Sequence, residues 1–228
     1  MSSAGRPQTR TQILEAARAL FEELGYYGAG LEAVAKKAGV SRQAIYLHFP
    51  SKVELLTALH LHVFDTDVVP ALRRHPIADA MTALDVLDAT IAADVEIVAR
   101  VWRIHESLTM ARRQHPEVDQ TLLAREEEHY DGLLDVGRRL EREGALPPTM
   151  PVGLFADSLW GLMNIGTFRN LVIERGWSLD QYGCWVRDTI RLQIGAASSP
   201  GVPRQRVDDP EITGAHIKAG SSSPSARG

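Results

Sequence analysis

Two neighbouring side chains near the N-terminus, Arg42 and Gln43, have the chemistry needed to read base pairs in DNA. An arginine can donate two hydrogen bonds to O6 and N7 of guanine, and a glutamine amide can bond to N6 and N7 of adenine. Such reading requires that both side chains project from one element that fits the major groove. The alternative interpretation is that both are ordinary solvated surface residues.

The segment from Leu31 to Lys52 predicts elements that can position these side chains. Apolar residues recur at helical spacing up to Gly39, a residue type that often ends a helix in the left-handed conformation. Ser41 follows where a second helix needs an N-cap, and Pro50 ends that helix because proline disfavours helical backbone at the preceding residue. Two short helices joined by a tight glycine-containing turn predict a helix-turn-helix, whose second helix enters the major groove.

Further residues at fixed spacing surround this motif: Gly25-Tyr26, Val34-Ala35, Ala38-Gly39-Val40-Ser41, Ile45-Tyr46, His48-Phe49, Ser51-Lys52 and Leu55. In these residues, and over roughly residues 9 to 60, the chain resembles the N-terminal domain of the TetR family of bacterial repressors. The resemblance implies a three-helix DNA-binding domain and a helical body whose ligand occupancy controls DNA binding. Two positions depart from the family pattern. Gly30 stands where Ser or Thr usually caps the second helix, and Gln43 stands where Gly or Pro is common.

The predicted DNA interface extends beyond the two base-reading residues. Tyr46, His48 and Lys52 lie toward the end of the recognition helix and the start of the next, and we expect them to contact phosphates; the resemblance implies the same roles. Ser51 and Glu54 predict a capping box that opens a fourth helix, whose first-turn amides face a phosphate. The predicted DNA-binding residues are Arg6, Gly30, Ser41, Arg42, Gln43, Tyr46, His48 and Lys52.

The charge distribution favours DNA contact at the N-terminal end only. Residues 1–60 contain seven Lys or Arg and five Asp or Glu, a net charge of +2, whereas the rest of the chain carries −6 and the whole chain −4. Arg6 belongs to a polar N-terminal arm of the kind that reaches the DNA backbone or minor groove. A frayed terminus is the competing interpretation of this arm.

The composition of the 228-residue chain is typical of a folded protein, with 44% hydrophobic residues. The single cysteine, Cys184, allows no internal disulfide, which fits a reducing cytoplasm. The polar N-terminus lacks the apolar core of a signal peptide, and no apolar run approaches the roughly eighteen residues of a membrane span. We therefore expect a cytoplasmic protein.

Helical periodicity without convincing strand alternation predicts an all-α fold. We expect a first helix that begins with a capping box at Thr9 and Gln12 and ends at Gly25. Pro70 should end the fourth helix. Three later helical spans are predicted at residues 51 to about 69, 151 to about 175, and 178 to about 194.

The same pattern predicts three regions along the chain. Residues 1–50 form the helix-turn-helix DNA-binding domain, and residues 51–195 form a helical effector-binding and dimerisation domain. Residues 196–228 are rich in Ser, Gly and Pro with few large apolar side chains, a composition that predicts a disordered tail.

Nine residues of the body combine aromatic or soft apolar side chains with a few polar atoms, as ligand sites usually do. Together they predict a pocket for an apolar or aromatic effector, although each residue taken alone is better explained as core. These predicted ligand-binding residues are Met81, Trp102, His105, Met110, Tyr130, Trp160, Met163, Asn164 and Phe168.

No catalytic or cofactor-binding pattern accompanies these residues. The chain contains no GxSxG, no HExxH and no glycine-rich phosphate loop, so we expect neither an enzyme nor a cofactor. His105 and His129 could share a metal ion with Glu106 or Glu126 in a helical bundle. Isolated histidines are more often simply hydrogen-bonded, so we expect no metal.

Small residues interrupt the penultimate predicted helix at Gly153, Ala156, Gly161 and Gly166. Glycine costs a helix about 1 kcal/mol relative to alanine, so the close approach of another helix should compensate. A symmetric four-helix contact between two subunits would use both C-terminal helices, and the resemblance implies the same homodimer. Tight packing within one subunit is the alternative.

These patterns predict a DNA-binding regulator, and the resemblance implies that it is a ligand-responsive transcriptional repressor. It binds a palindromic double-stranded DNA operator as a homodimer, has no membrane partner, and is released by a small-molecule effector. Two alternatives stay open. One is a DNA-binding protein of this fold that is not ligand-gated, such as an activator or an architectural factor, and the other is a helical enzyme or carrier with a vestigial DNA-binding head.

Overall fold

The computed structural model describes residues 5–75 and 80–195, without the side chains of residues 5–7, 117 and 121. Every regular element in these ranges is helical, which confirms the all-α fold. The helices are α1 (Gly5–Gly28), α2 (Leu31–Ala38), α3 (Arg42–His48), α4 (Lys52–Val63), α5 (Val69–Arg74), α6 (Ala83–Arg112), α7 (Glu117–Arg142), α8 (Val152–Met163), α9 (Ile165–Phe168) and α10 (Leu179–Gln193). Two π-helical segments, Phe64–Val68 and Arg169–Glu174, join α4 to α5 and follow α9.

The first helix ends where the sequence predicts but begins earlier. Gly25 interrupts α1 with φ 67° and ψ −176°, a backbone conformation that favours glycine. The helix already begins at Gly5, so Thr9 lies inside it and the predicted capping box with Gln12 is wrong. Pro7 does not prevent this start, because a proline in the first turn gives up no helical hydrogen bond.

The fourth helix does not end at Pro70. α4 stops at Val63, and the wider π-helical turn leads into α5, which holds Pro70 in its first turn and continues to Arg74. The N–H of Val69 donates to the carbonyl of Phe64, five residues earlier. This shift relieves the clash that a proline ring makes with the carbonyl four residues before it, so the helical path continues.

The predicted helix from residue 151 to about 175 is also broken. Asn164 is extended, with φ −67° and ψ 157°, and separates α8 from α9. Its Oδ1 accepts the N–H of Thr167 at 3.0 Å, and its Nδ2 donates to the carbonyl of Gly161 at 2.6 Å. Asparagine is a preferred N-cap because its side chain replaces the missing helical acceptor, and this cap ends one helix and starts the next.

Two groups of buried apolar residues organise the described helices. The head core joins α1 to α4 and also takes in Ile104, Leu108 and Ala111 of α6 with Val118 and Leu122 of α7. The body core joins α6 to α10. Because α4 packs within the head core, the domain boundary at residues 50 and 51 stays a prediction, and the predicted tail 196–228 lies outside the described residues.

The helical run Lys52–Arg74 is long and apolar enough to cross a membrane by its length and its mean hydropathy of 1.2. The sequence prediction missed it because it counted only uninterrupted apolar runs. Val53, Leu56 and Leu59 of this run are buried in the head core. Asp67 lies in the same run and contacts Arg18 at 2.5 Å. Of its apolar window 33% is buried, and this buried part lies mainly in the head core.

Candidate nucleic-acid interface

Local hydrogen bonds hold both ends of α3, the predicted recognition helix. Gly39 adopts the left-handed conformation at φ 69°, and the N–H of Val40 donates to the carbonyl of Ala35 at 3.0 Å, which ends α2. Ser41 then caps α3, because its Oγ accepts the N–H of Ala44 at 3.1 Å. Phe49 follows the last turn in an extended conformation. The helix-turn-helix therefore has the turn and the cap that the sequence predicts.

The side chain of Arg42 lies on the surface of α3, with 72% of it exposed. One guanidinium nitrogen is 3.1 Å from Oε1 of Glu32 on α2, and its central carbon is 5.9 Å from the ring of Tyr46. An exposed ion pair of this kind contributes only about 0–1 kcal/mol. Arg42 can therefore exchange Glu32 for another hydrogen-bond partner at little cost.

The predicted phosphate contacts lie at the junction of α3 and α4. The ammonium group of Lys52 is 4.4 Å from the ring centre of Tyr26, and partial burial lowers the pKa of Lys52. Ser51 accepts the N–H of Glu54 at 3.1 Å and donates to its carboxylate at 3.3 Å. This cap is one-sided, unlike the reciprocal capping box that the sequence predicts. His48 is half-buried.

The remaining predicted DNA-binding residues are Gly30, which caps α2, and Arg6, whose side chain lies outside the described residues. Gly30 has φ −104° and ψ 153°, and a Cβ added there would meet no atom within 4 Å. The Ser or Thr usual in the family would therefore fit. Glycine supplies no side-chain cap, so the start of α2 is held less firmly.

Two residues at this end of the molecule were missed in the sequence. Arg10 of α1 has its guanidinium carbon 5.3 Å from the ring of Phe49. Leu47 is 75% exposed although it lies on the recognition helix. The sequence does indicate Leu47, because an apolar residue two positions after Ile45 must lie on the side of the helix opposite the core. Arg10 also lines a groove of 520 Å³ with His48, Phe49, Ser51, Val53, Glu54, Thr57, Ala58 and Leu61.

In the body, the structure brings some of the predicted ligand-binding residues together. The ring of Trp160 is 6.0 Å from that of Tyr130 and 5.2 Å from that of His129. Tyr130 donates its hydroxyl to Oδ1 of Asp157 at 2.7 Å. His129 is 2.9 Å from Asp94; burial lowers its pKa, but the hydrogen bond and charge of Asp94 outweigh this, so the pKa is raised.

The other predicted ligand-binding residues are dispersed. Phe168 and Met163 are buried in the body core, and Trp102 and Trp160 are partly buried against it. Asn164 is exposed and caps α9, Met110 is exposed on α6, and Met81 is 90% exposed just before α6. Burial and neighbouring cationic groups lower the pKa of His105 to about 4, and its Nε2 is 3.9 Å from Glu126. The proposed pocket thus stays a prediction.

An open groove of 690 Å³ lies along α7 and involves none of these nine residues. It is lined by Val86, Gly132, Asp135, Val136, Arg138, Arg139, Glu141 and Arg142. Within residues 5–75 and 80–195, no three His, Cys, Asp or Glu side chains are grouped so as to hold a metal ion. His105 pairs with Glu126 and His129 with Asp94, so the metal alternative has no support there.

The glycines of α8 do not serve close packing inside the subunit. A Cβ added to Gly153 or Gly161 would meet no atom within 4 Å, whereas Ala156 is buried. A Cβ on Gly166 would come within 3.0 Å of Oδ1 of Asn164. The close helix approach inside the subunit is at Gly137 of α7, where a Cβ would lie 3.0 Å from Phe155 and Val152 of α8.

Comparisons with known proteins agree with this geometry. The family model for bacterial regulatory proteins of the tetR family matches residues 13–59, which hold the helix-turn-helix. The transcriptional regulator UidR of Escherichia coli K12 is 30% identical over 136 residues, which are 55% of this chain and 67% of UidR. The chain belongs to the TetR family. It is therefore a transcriptional regulator with a DNA-binding helix-turn-helix, not an enzyme.

Two other proteins resemble a part or most of the chain. The transcriptional activator FasR of Mycolicibacterium smegmatis is 46% identical over 59 residues, 25% of this chain and only 27% of FasR. A structure described as a transcriptional regulator from Saccharomonospora viridis in complex with choline superimposes with a TM-score of 0.70. It is 20% identical and covers 81% of this chain and 96% of that chain, so it supports the fold alone.

Proposed function

We propose that this TetR-family protein is a cytoplasmic, ligand-responsive repressor that binds a palindromic operator as a homodimer. A small apolar or aromatic effector releases it from DNA. The observation that carries the proposal is α3, a helix capped by Ser41 and held by buried Ile45, which leaves Arg42, Gln43 and Tyr46 exposed for a major groove.

In this proposal the DNA-facing residues divide into two kinds. Arg42 and Gln43 read base edges, and Arg42 leaves Glu32 to do so. Tyr46, His48 and Lys52 hold phosphates, with Ser41 and Gly30 at the helix starts and Arg6 in the first turn of α1. The two heads of a dimer lie about 34–36 Å apart, or a multiple of that distance, so that they meet successive major grooves.

The proposed homodimer uses α8 and α10. Gly153 and Gly161 leave open space on α8, beside the exposed Leu154. α10 adds the exposed Leu179 and Leu192. Apolar side chains next to helix positions without a Cβ favour the close crossing of a partner helix, and two copies would form a four-helix contact.

The proposed effector site is the aromatic cluster of Tyr130 and Trp160, with Phe168, Met163 and Trp102 of the same body core as further candidates. Rings in mutual contact with a few carboxylates beside them are the usual lining of small-molecule sites. The structural neighbour from Saccharomonospora viridis was solved with choline, a small organic ligand. A quenching of tryptophan fluorescence on effector binding, lost in Trp160→Phe, would support this site.

The structural change caused by effector binding would be transmitted to the head through the segment Phe64–Val68, which joins α4 to α5. Asp67 of this π-helical turn is 2.5 Å from Arg18 of α1 and 3.8 Å from Arg100 of α6. A shift of α6 or α7 would change these contacts and move the heads relative to the operator. Effector binding then favours the conformer that holds DNA weakly, by no more than its difference in affinity for the two conformers.

One finding favours activation as a second candidate for the sign of regulation. FasR, which is 46% identical over 59 residues, is an activator by name. A regulator of this fold that binds DNA without a ligand gate would keep the same head and the same operator symmetry. A transcription assay with the selected operator placed over or upstream of a promoter separates these outcomes.

The test is selection of random duplex DNA by the purified protein at fixed, stated salt. We expect a palindromic consensus, bound by a species that sediments as a dimer. Arg42→Ala should weaken specific binding by about 1–3 kcal/mol and relax one base position in each half-site. Lys36→Ala, an exposed charge at the end of α2, is the matched control and should keep the base preference. No enrichment by a folded dimer would contradict the proposal.

A further inference from the structure

Leu47 has no role in the fold that explains its position on the recognition helix. Of the seven residues of α3, Ile45 is fully buried and fixes the side that packs on the head core. Leu47 is 75% exposed, the second most exposed of the large apolar residues in the described chain after Met81. A leucine left in water contributes little hydrophobic free energy to folding, so its isobutyl group is available for a contact outside the chain.

Helical geometry shows where Leu47 points. At roughly 100° per residue, Gln43 and Leu47 lie at about 160° and 200° from Ile45 around the helix axis. Both therefore flank the direction directly away from the core. Arg42 and Tyr46 lie at about 60° and 100°, on the side of the helix that faces Glu32. The outermost row of α3 is an amide followed, one turn later, by an isobutyl group.

We propose that Leu47 is a specificity-determining residue that packs against the 5-methyl group of a thymine in each operator half-site. This rests on the proposed function, since it requires that α3 enters the major groove with Ile45 toward the protein. In that orientation Gln43 and Leu47 reach deepest. Thymine is the base that offers an apolar group in the major groove, and an aliphatic side chain is its natural contact.

The positions of Gln43 and Leu47 on one row of α3 restrict the base sequence expected in each operator half-site. Gln43 is suited to adenine, whose N6 and N7 take both amide bonds. Leu47 follows one helical turn later on the same row. The half-site should therefore contain an adenine and, within a few base pairs, a thymine whose methyl group lies in the groove, on either strand. Arg42 reads outside this row.

The test removes the methyl group alone. After the consensus has been selected, each thymine of one half-site is replaced in turn by uracil, which has the same hydrogen-bonding groups but no 5-methyl group. We expect one position at which uracil weakens wild-type binding about fourfold per half-site, the value of one buried methyl group. Leu47→Ala should bind more weakly and show no difference between thymine and uracil at that position.

Two further variants keep the test decisive. Leu47→Gln keeps a similar helix propensity but replaces the isobutyl group with a polar amide, and it should also lose the methyl effect. Leu72→Ala removes an equally apolar, exposed residue of α5 and should keep the wild-type pattern. Equal binding to thymine and uracil at every position, by a wild-type protein that still selects one sequence, would overturn the proposal. A protein that selects no sequence would instead contradict the proposed DNA function.

Discussion

The N-terminal head and the helical body both cap helix ends locally, and in the body a distant residue also holds the start of α6. In the head, Gly39 and Ser41 act within four residues of the ends that they set. In the body, Thr82 caps α6 locally, and Glu143 also accepts the N–H of Ala83 at 2.6 Å across 60 residues. Arg191 similarly donates to Asp88 at 2.6 Å across 103 residues. A substitution that removes such a long-range contact should disturb two helices at once, whereas the loss of a local cap should act on one.

The largest effect is expected in the body core. Phe155 is fully buried and packs against Gly137 of α7. Phe155→Ala should lower the free energy of unfolding by about 3–5 kcal/mol, because it leaves a cavity between α7 and α8. Urea unfolding measures this loss, with Leu123→Ala on the exposed side of α7 as the control. A loss below about 1 kcal/mol would mean that the body is not held by this core.

The second-largest effect is the pH dependence of the free energy of unfolding, which we expect to arise from His60 of α4. Burial, followed by the charge of Arg125, lowers the pKa of His60 to about 4, so the folded protein resists protonation there. An unfolded chain takes up that proton near pH 6.5. Stability should thus fall as pH drops from about 6.5 to about 4, by at most about 3 kcal/mol from this residue.

Unfolding midpoints in urea at pH 7 and pH 5 check the expected decrease. His60→Gln should reduce the difference between the two pH values. An identical pH dependence for His60→Gln and the wild type would contradict the assignment to His60.

A smaller effect is expected from a local cap in the head. Ser41→Ala removes the acceptor for the N–H of Ala44 and should cost about 1 kcal/mol of stability. Ser41→Asn keeps a side-chain acceptor and should retain most of that stability. Thermal unfolding reports both changes. If the two variants are equally destabilised, the cap is not what holds α3.

The smallest effect is expected for an added methyl group at Gly161 of α8, on the proposed dimer interface. In an isolated subunit, Gly161→Ala should raise stability by up to about 1 kcal/mol, since the added Cβ meets open space. In a close dimer contact, the same change should weaken association. Gly132→Ala on α7 has equally open space and serves as the control. Sedimentation across a dilution series distinguishes the two results, and a tighter dimer would exclude close packing at Gly161.

The features that could be predicted from the sequence are those that depend on near neighbours. Gly25, Ser41 and Ser178 were placed correctly as helix boundaries, because glycine conformation and side-chain capping act over a few residues. The all-α fold and the TetR family followed from the same kind of signal. The predicted DNA-binding and ligand-binding residues stay predictions, because their partners are not part of this chain.

The structural features that were not predicted from the sequence depend on contacts that a short stretch of sequence does not show. The π-helical turn before Pro70 lets a helix continue where proline normally ends it. Asn164 carries a cap signal inside an apolar stretch that reads as one helix. Gly137 of α7 has no sequence signal for close packing, because the contact depends on Val152 and Phe155 of α8 lying against it.

Helix α6 has a consequence for how the protein melts. Its first half, with Leu87 and Ile91, belongs to the body core, and its second half, with Ile104 and Leu108, belongs to the head core. One continuous rod of 30 residues, about 45 Å long, thus carries both regions. Neither can lose its packing without removing the support of the other. The chain should therefore show a single calorimetric transition whose measured enthalpy equals its van't Hoff enthalpy.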